Sequence, residues 1–157
     1  MTQPARNLPQ RLAEARRWFD EGLLASMEAA GERPLTIAQA WVFATLDNAG
    51  TTVSELARRM GVTRQSAHQA VHGLIDAGLM EQVPDPSSAR ARLIRTTAEG
   101  QRAHELAQRC IAVMEDVLAR RLGEQGAAAL RVALETPWGD PPIVAAPPEK
   151  EWAETIN

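Results

Sequence analysis

The stretch "VSELARRMGVTRQSAHQAVHGLIDAGLM", residues 53–80, contains two helix starts, two helix stops and a pair of histidines four residues apart. Thr52 stands just before it, with Glu55 three positions on. That spacing lets a hydroxyl and a carboxylate satisfy each other's backbone N–H groups at the head of a helix. Gly61 stops this first helix after about two turns. Thr63 then caps a second helix running to Ala77, with Gly78 placed for the left-handed position that follows. Two short helices joined by "GV" predict a helix-turn-helix.

The histidines put that prediction under test. His68 and His72 have the spacing of HExxH, in which two imidazoles hold zinc and the glutamate deprotonates water. Gln69 stands where the glutamate is needed, and an amide is no general base. No acidic residue stands beside the pair at a ligand-like spacing, and the third histidine, His104, is far along the chain. No metal and no other cofactor is therefore expected. A metal-dependent hydrolase using His68 and His72 is kept only as the alternative from another class.

Periodicity gives the pair a different setting. Ala67, Ala70, Val71 and Leu74 form an apolar stripe, and Gln65, His68, Gln69 and His72 form the opposite face, free of acids until Asp76. Such a face suits a DNA major groove, where the amides of Gln65 and Gln69 can bond adenine bidentately. Arg64 is placed for guanine or a phosphate, and the helix start at Thr63 offers free N–H groups to a phosphate. His68 and His72 are placed for base edges, or for phosphates when protonated.

Residues 8–30 carry Leu8, Leu12, Ala15, Phe19, Leu23, Met27 and Ala30 at steps of three and four, one helical face. "GERP" breaks that helix. "LTIAQAWVFATLDNAG" follows, with Thr36 and Gln39 in capping-box spacing, a stripe of Ala38, Val42, Phe43 and Leu46, and "NAG" as its end. Beyond residue 78, the β-prone runs Leu79–Val83 and Ala91–Thr96 flank the turn "PDPSS", which predicts a hairpin. From Ala98 a helical pattern runs for some 25 residues, with Ala103, Ala107, Cys110, Met114, Val117 and Leu118 on one side. "GEQGAAALRVAL" suggests one more short helix. The tail from residue 136 is proline-rich and expected to be extended.

The fold class is thus mainly α, an α+β winged helix-turn-helix with dimerisation helices at both chain ends. Residues 8–50 form the N-terminal dimerisation and support helices, 51–98 the DNA-binding domain, 99–135 the C-terminal dimerisation helices, and 136–157 the tail. The striped terminal helices have too little core to cover them, which predicts a homodimer.

Composition is that of a soluble globular protein and not of a disordered one. The chain has 157 residues, 45% hydrophobic and 24% charged, ordinary for one globular domain. No run of about 18 apolar residues offers a membrane span, and "MTQPARNLPQRL" lacks the apolar segment of a signal peptide. A single cysteine, Cys110, leaves no internal disulfide and fits the cytoplasm. On the stripe of the long helix it is expected to be a small buried thiol. The net charge of −3 hides a local excess: six arginines face four acids in residues 51–98, which leaves −5 for the remainder. DNA binders act through such local patches. Arg58 and Arg59 are open between backbone contacts and plain solvation.

"VSELARRMGVTRQSAHQAVHGLIDAGLM" and "DPSSARARLIRTTAEG" together resemble the MarR family of bacterial transcription regulators, and "LTIAQAWVFATL" resembles that family's second helix. The resemblance covers roughly residues 8–135. It implies a homodimeric regulator, a repressor by expectation, acting on double-stranded DNA at a pseudo-palindromic operator and not an enzyme. By the same resemblance Arg90 matches the wing arginine that enters the minor groove, with Arg92 beside it. Ser88 and Ala89 depart from the usual acid and base, and Gly73 stands where arginine is frequent. Fewer phosphate contacts per subunit should follow. Relief by a small aromatic ligand is a further implication, and Trp18, Phe19 and Trp41 are the candidate lining. Regulation without any effector is the alternative in the same class. A winged helix that binds protein is a third reading.

Overall fold

Among the described residues, 6–143 and 145 of this computed structural model, six helices and one two-stranded sheet follow in order. They are α1 (Leu8–Ala29), α2 (Ile37–Thr45), α3 (Val53–Met60), α4 (Arg64–Asp76), β1 (Met80–Asp85), β2 (Ser88–Thr96), α5 (Ala98–Leu122) and α6 (Glu124–Glu135). This is the mainly α winged helix-turn-helix that the sequence predicts. The expected extended tail lies outside the described residues at 144 and from 146 onward. None of the helices is long and apolar enough to cross a membrane.

The described chain divides into two compact units, Arg17–Met114 and the remainder on either side of it. The central unit holds the core: Val42, Leu56, Met60, Ala70, Val71, Leu74, Leu79, Met80, Ile94 and Ala103. These come from α2, α3, α4, the hairpin and the head of α5, so one cluster fixes the helix-turn-helix against its wing. Each fully buried aliphatic side chain there is worth roughly 1.5–3 kcal/mol against exposure.

The helix starts behave largely as the spacing predicts. Thr36 and Gln39 form a complete capping box: the Gln39 N–H donates to Thr36 Oγ1 at 3.2 Å, and the Thr36 N–H to Gln39 Oε1 at 2.8 Å. Thr52 accepts from the Glu55 N–H at 3.3 Å, and Thr63 from the Ser66 N–H at 3.1 Å. Gly61 ends α3 with φ of 64°, a conformation costly for any side chain-bearing residue. Three details differ from expectation. α2 stops at Thr45, whose hydroxyl donates to the Trp41 carbonyl at 2.9 Å, so Leu46 packs on the core from an extended backbone and not from the helix. Ala38 of its expected stripe is exposed. Cys110 is half-buried, not enclosed.

The hairpin is longer than its β-prone runs. β1 and β2 pair antiparallel from Met80↔Thr96 to Pro84↔Arg92, then shift register and close at Asp85↔Ser88. Pro84, which has no N–H, is tolerated because β1 is an outer strand. β2 is flanked on its other side by Thr51, which exchanges two bonds with Ile94 at 3.1 and 2.9 Å. Gly50 permits this approach: at φ of +97°, a Cβ there would lie 2.9 Å from Arg95 Cγ. The residue just ahead of α3 is thereby tied to the wing.

In the other unit, Arg131 pairs with Glu115 at 2.9 Å and Arg6 pairs with Glu14. None of the α6 residues is buried, and Leu130, Val132 and Leu134 are exposed on it, as is Leu122 at the end of α5.

Candidate nucleic-acid interface

α4 is two-faced in the way its sequence requires. Ala67, Ala70, Val71 and Leu74 are buried. Thr63, Arg64, Gln65, His68, Gln69 and His72 are all exposed. The helix is thus held by one side and presents amides and imidazoles on the other. His68 and His72 meet on that side, with Nε2 atoms 3.0 Å apart and ring centroids at 4.1 Å. At that distance the Nε2–H of one ring donates to the Nε2 of the other.

The arginines of residues 51–98 sort into two groups. Glu55 does not reach back to complete a capping box. Its carboxylate accepts from Arg58 Nε at 2.9 Å and from Arg59 Nε at 2.8 Å instead. Arg59 also reaches Asp47 at 2.8 Å and the Thr45 carbonyl at 2.9 Å. The hydrogen bonds from Arg58, then those from Arg59, hold the Glu55 carboxyl down to about 2. Arg95 is half-buried and donates to the Ala49 carbonyl at 2.9 Å. Arg64, Arg90 and Arg92 are exposed, and no hydrogen bond or ion pair with a described residue engages them. Asp85, the acid nearest the wing tip, accepts from the Ser87 hydroxyl and N–H at 2.7 and 2.8 Å, which lowers its carboxyl from the ordinary value. The free cations therefore stand at the start of α4 and along β2.

A depressed carboxyl stabilises the fold above its ordinary titration range, and the effect fades as the pH falls toward the folded value. Glu55→Gln should accordingly be less stable than the parent at pH 7, and the gap should narrow by pH 3. Urea midpoints at the two pH values check this. A gap that does not narrow would mean the Arg58 and Arg59 contacts contribute nothing.

Gly73 has a local reason. A Cβ there would lie 2.4 Å from Gln39 Nε2, the side chain that caps α2. A side chain at 73 requires Gln39 Nε2 to shift, so the position couples α4 to the start of α2.

Of the candidate ligand residues, Trp18 and Phe19 are half-buried neighbours in an edge-to-face contact with centroids 4.9 Å apart. Trp41 packs against the core cluster. His104, which the sequence left without a role, stacks on Phe43 with centroids at 5.8 Å.

A capped helix pair, a second helix exposed along its polar face, and a hairpin with a third strand contributed by Thr51 define a winged helix-turn-helix. Residues 34–91 match the family model described as MarR family. The fold around them is similar to that of solved regulators. Apo MarR from E. coli is similar at 20% identity and a TM-score of 0.69, over 85% of this chain and 97% of MarR. The transcriptional repressor CouR bound to a 23-mer DNA duplex is similar at 28% identity and a TM-score of 0.68, over 82% and 89% of the two chains. CouR from Rhodococcus jostii RHA1 bound to p-coumaroyl-CoA is similar at 18% identity and a TM-score of 0.69, over 92% and 100%. No curated protein sequence matches the chain.

Proposed function

We propose that this protein is a sequence-specific DNA-binding transcription regulator, a repressor that acts as a homodimer on a pseudo-palindromic operator. The observation that carries the reading is the exposed, acid-free face of α4 together with three arginines that have no partner within the described chain. Gln65, His68, Gln69 and His72 read base edges in the major groove. Thr63 and Arg64 hold the backbone at the start of the helix. Arg90 enters the minor groove from the wing, and Arg92 contacts the adjacent phosphates. CouR, similar in fold, is a transcriptional repressor seen bound to a 23-mer DNA duplex. Exposed Leu122, Leu130, Val132 and Leu134 support a second copy as partner. The regulator answers to a small aromatic ligand held near Trp18, Phe19 and Trp41, as the CouR complex with p-coumaroyl-CoA suggests for this fold. A ligand of this kind acts by favouring one spacing of the two recognition helices over another.

The experiment is a DNA titration at two salt concentrations with fragments selected from the source genome. Three free arginines per chain, six in a dimer, predict a log–log salt slope near −5, since each neutralised phosphate contributes about −0.9. Light scattering should find a dimer. Affinity indifferent to salt, or a monomer at micromolar concentration, would overturn the proposal.

A further inference from the structure

The touching imidazoles on α4 are not needed in contact for base reading, and their geometry suits another ligand. We propose that His68 and His72 chelate a divalent transition-metal ion of the nickel and copper class, and that the bound ion keeps DNA off this face. The second half rests on the DNA-binding reading above; the first does not.

The two Nε2 atoms lie 3.0 Å apart. With metal–imidazole bonds of about 2.0–2.1 Å, two ligands at a right angle stand about 2.9 Å apart, while two at the tetrahedral angle stand about 3.3–3.4 Å apart. The observed separation fits a right-angled bite. Tetragonal and square-planar sites with nitrogen donors select nickel(II) and copper(II), and imidazole suits both ions. Binding replaces the shared N–H: the donating ring carries its proton on Nδ1 instead, which leaves both Nε2 lone pairs for the ion.

The helix preorganises the pair. His68 and His72 occupy successive turns of a 13-residue helix whose other side is fixed by Ala67, Ala70, Val71 and Leu74. Both rings are exposed, so water completes the coordination sphere. No group of three histidine, cysteine or carboxylate side chains that could hold an ion occurs among the described residues. The site is therefore an open two-ligand chelate, unlike the three-ligand set of a catalytic zinc centre. An ion here with its waters occupies the space in which His68 and His72 would meet base edges, so metal and DNA exclude each other by mass action.

The test uses the full-length, tag-free protein and Ni2+, which spares Cys110 the oxidation that copper can bring. Calorimetric titration without DNA should show one Ni2+ per chain. His68→Ala and His72→Ala should each weaken it tenfold or more, and His104→Ala should not. Nickel binding that survives either of the first two substitutions unchanged, or no binding at all, overturns the site. With DNA present, Ni2+ at ten times its dissociation constant should weaken wild-type DNA binding about elevenfold for each chain, roughly a hundredfold for the dimer, and should not change the DNA binding of His72→Ala. Unchanged DNA affinity at saturating Ni2+ overturns the exclusion. If the metal-free protein binds no DNA, the regulatory reading fails while the calorimetry still decides the metal site.

Discussion

Gly100→Ala is expected to cost about 3 kcal/mol or more, seen as a melting temperature lower by roughly ten degrees. In an ordinary helix the same change would stabilise by about 1 kcal/mol. Here a Cβ would lie 1.9 Å from the Leu79 carbonyl oxygen and 2.9 Å from its carbon. Those are backbone atoms between the end of α4 and β1, and no rotamer can move them aside. The same carbonyl accepts the Thr97 N–H at 3.1 Å, while the Thr97 hydroxyl donates to the Gly78 carbonyl at 2.6 Å and caps the Gly100 N–H at 3.1 Å. The head of α5 is thus fastened to the chain just after α4, and any retreat from Leu79 breaks that fastening. Gly126→Ala is the control: its Cβ would be 3.3 Å from Leu122 Cβ, a tight contact with a side chain and not with backbone. It should melt near the parent or slightly above it. If Gly100→Ala also melts within a degree of the parent, the close approach at Leu79 is wrong.

What the sequence revealed and what it hid follow from the range of the interactions involved. Local devices were legible. Thr36 with Gln39, Thr63, Gly61 and Gly78 each act within four residues, and each does what its spacing predicts. The two faces of α4 were legible too, because helical period alone separates Ala67, Ala70, Val71 and Leu74 from the polar side. Glu55 shows where local reading stops. Its spacing from Thr52 is that of a capping box, but Arg58 and Arg59, three and four residues on, offer guanidinium donors that win the carboxylate from a neutral N–H. The same competition takes two arginines out of the charge excess, which counting over residues 51–98 could not detect. Thr51 was invisible for another reason: one residue of strand has no alternation, and its partner Ile94 lies 43 positions away. The strands run on through Pro84 and back from Ser88 because pairing with β2 outweighs the turn propensity of "PDPSS". The candidate reading face was legible as a face. Which arginines remain free to join it was not.

That distinction sets the final expectation, in which helix and wing should fail differently. If Gln69 accepts from and donates to an adenine edge, Gln69→Ala should cost roughly 1–3 kcal/mol on the operator and little on random DNA. The lost contact is one that only the right base can make. Arg90 has no such partner. A minor-groove guanidinium senses charge and groove width, and it separates A·T from G·C only coarsely. Arg90→Ala should therefore weaken operator and random DNA more evenly and make the salt slope shallower by about one per chain. The structure sharpens this contrast, because Asp85 is turned onto Ser87 and no described residue holds Arg90. Its full charge is available to DNA, and its side chain must be ordered on binding, at a cost of about 1 kcal/mol. Titrating both variants against both DNAs at two salt concentrations separates the two roles. Equal losses on the two DNAs for Gln69→Ala would show that α4 does not read sequence, and an unchanged slope for Arg90→Ala would remove the wing from the interface.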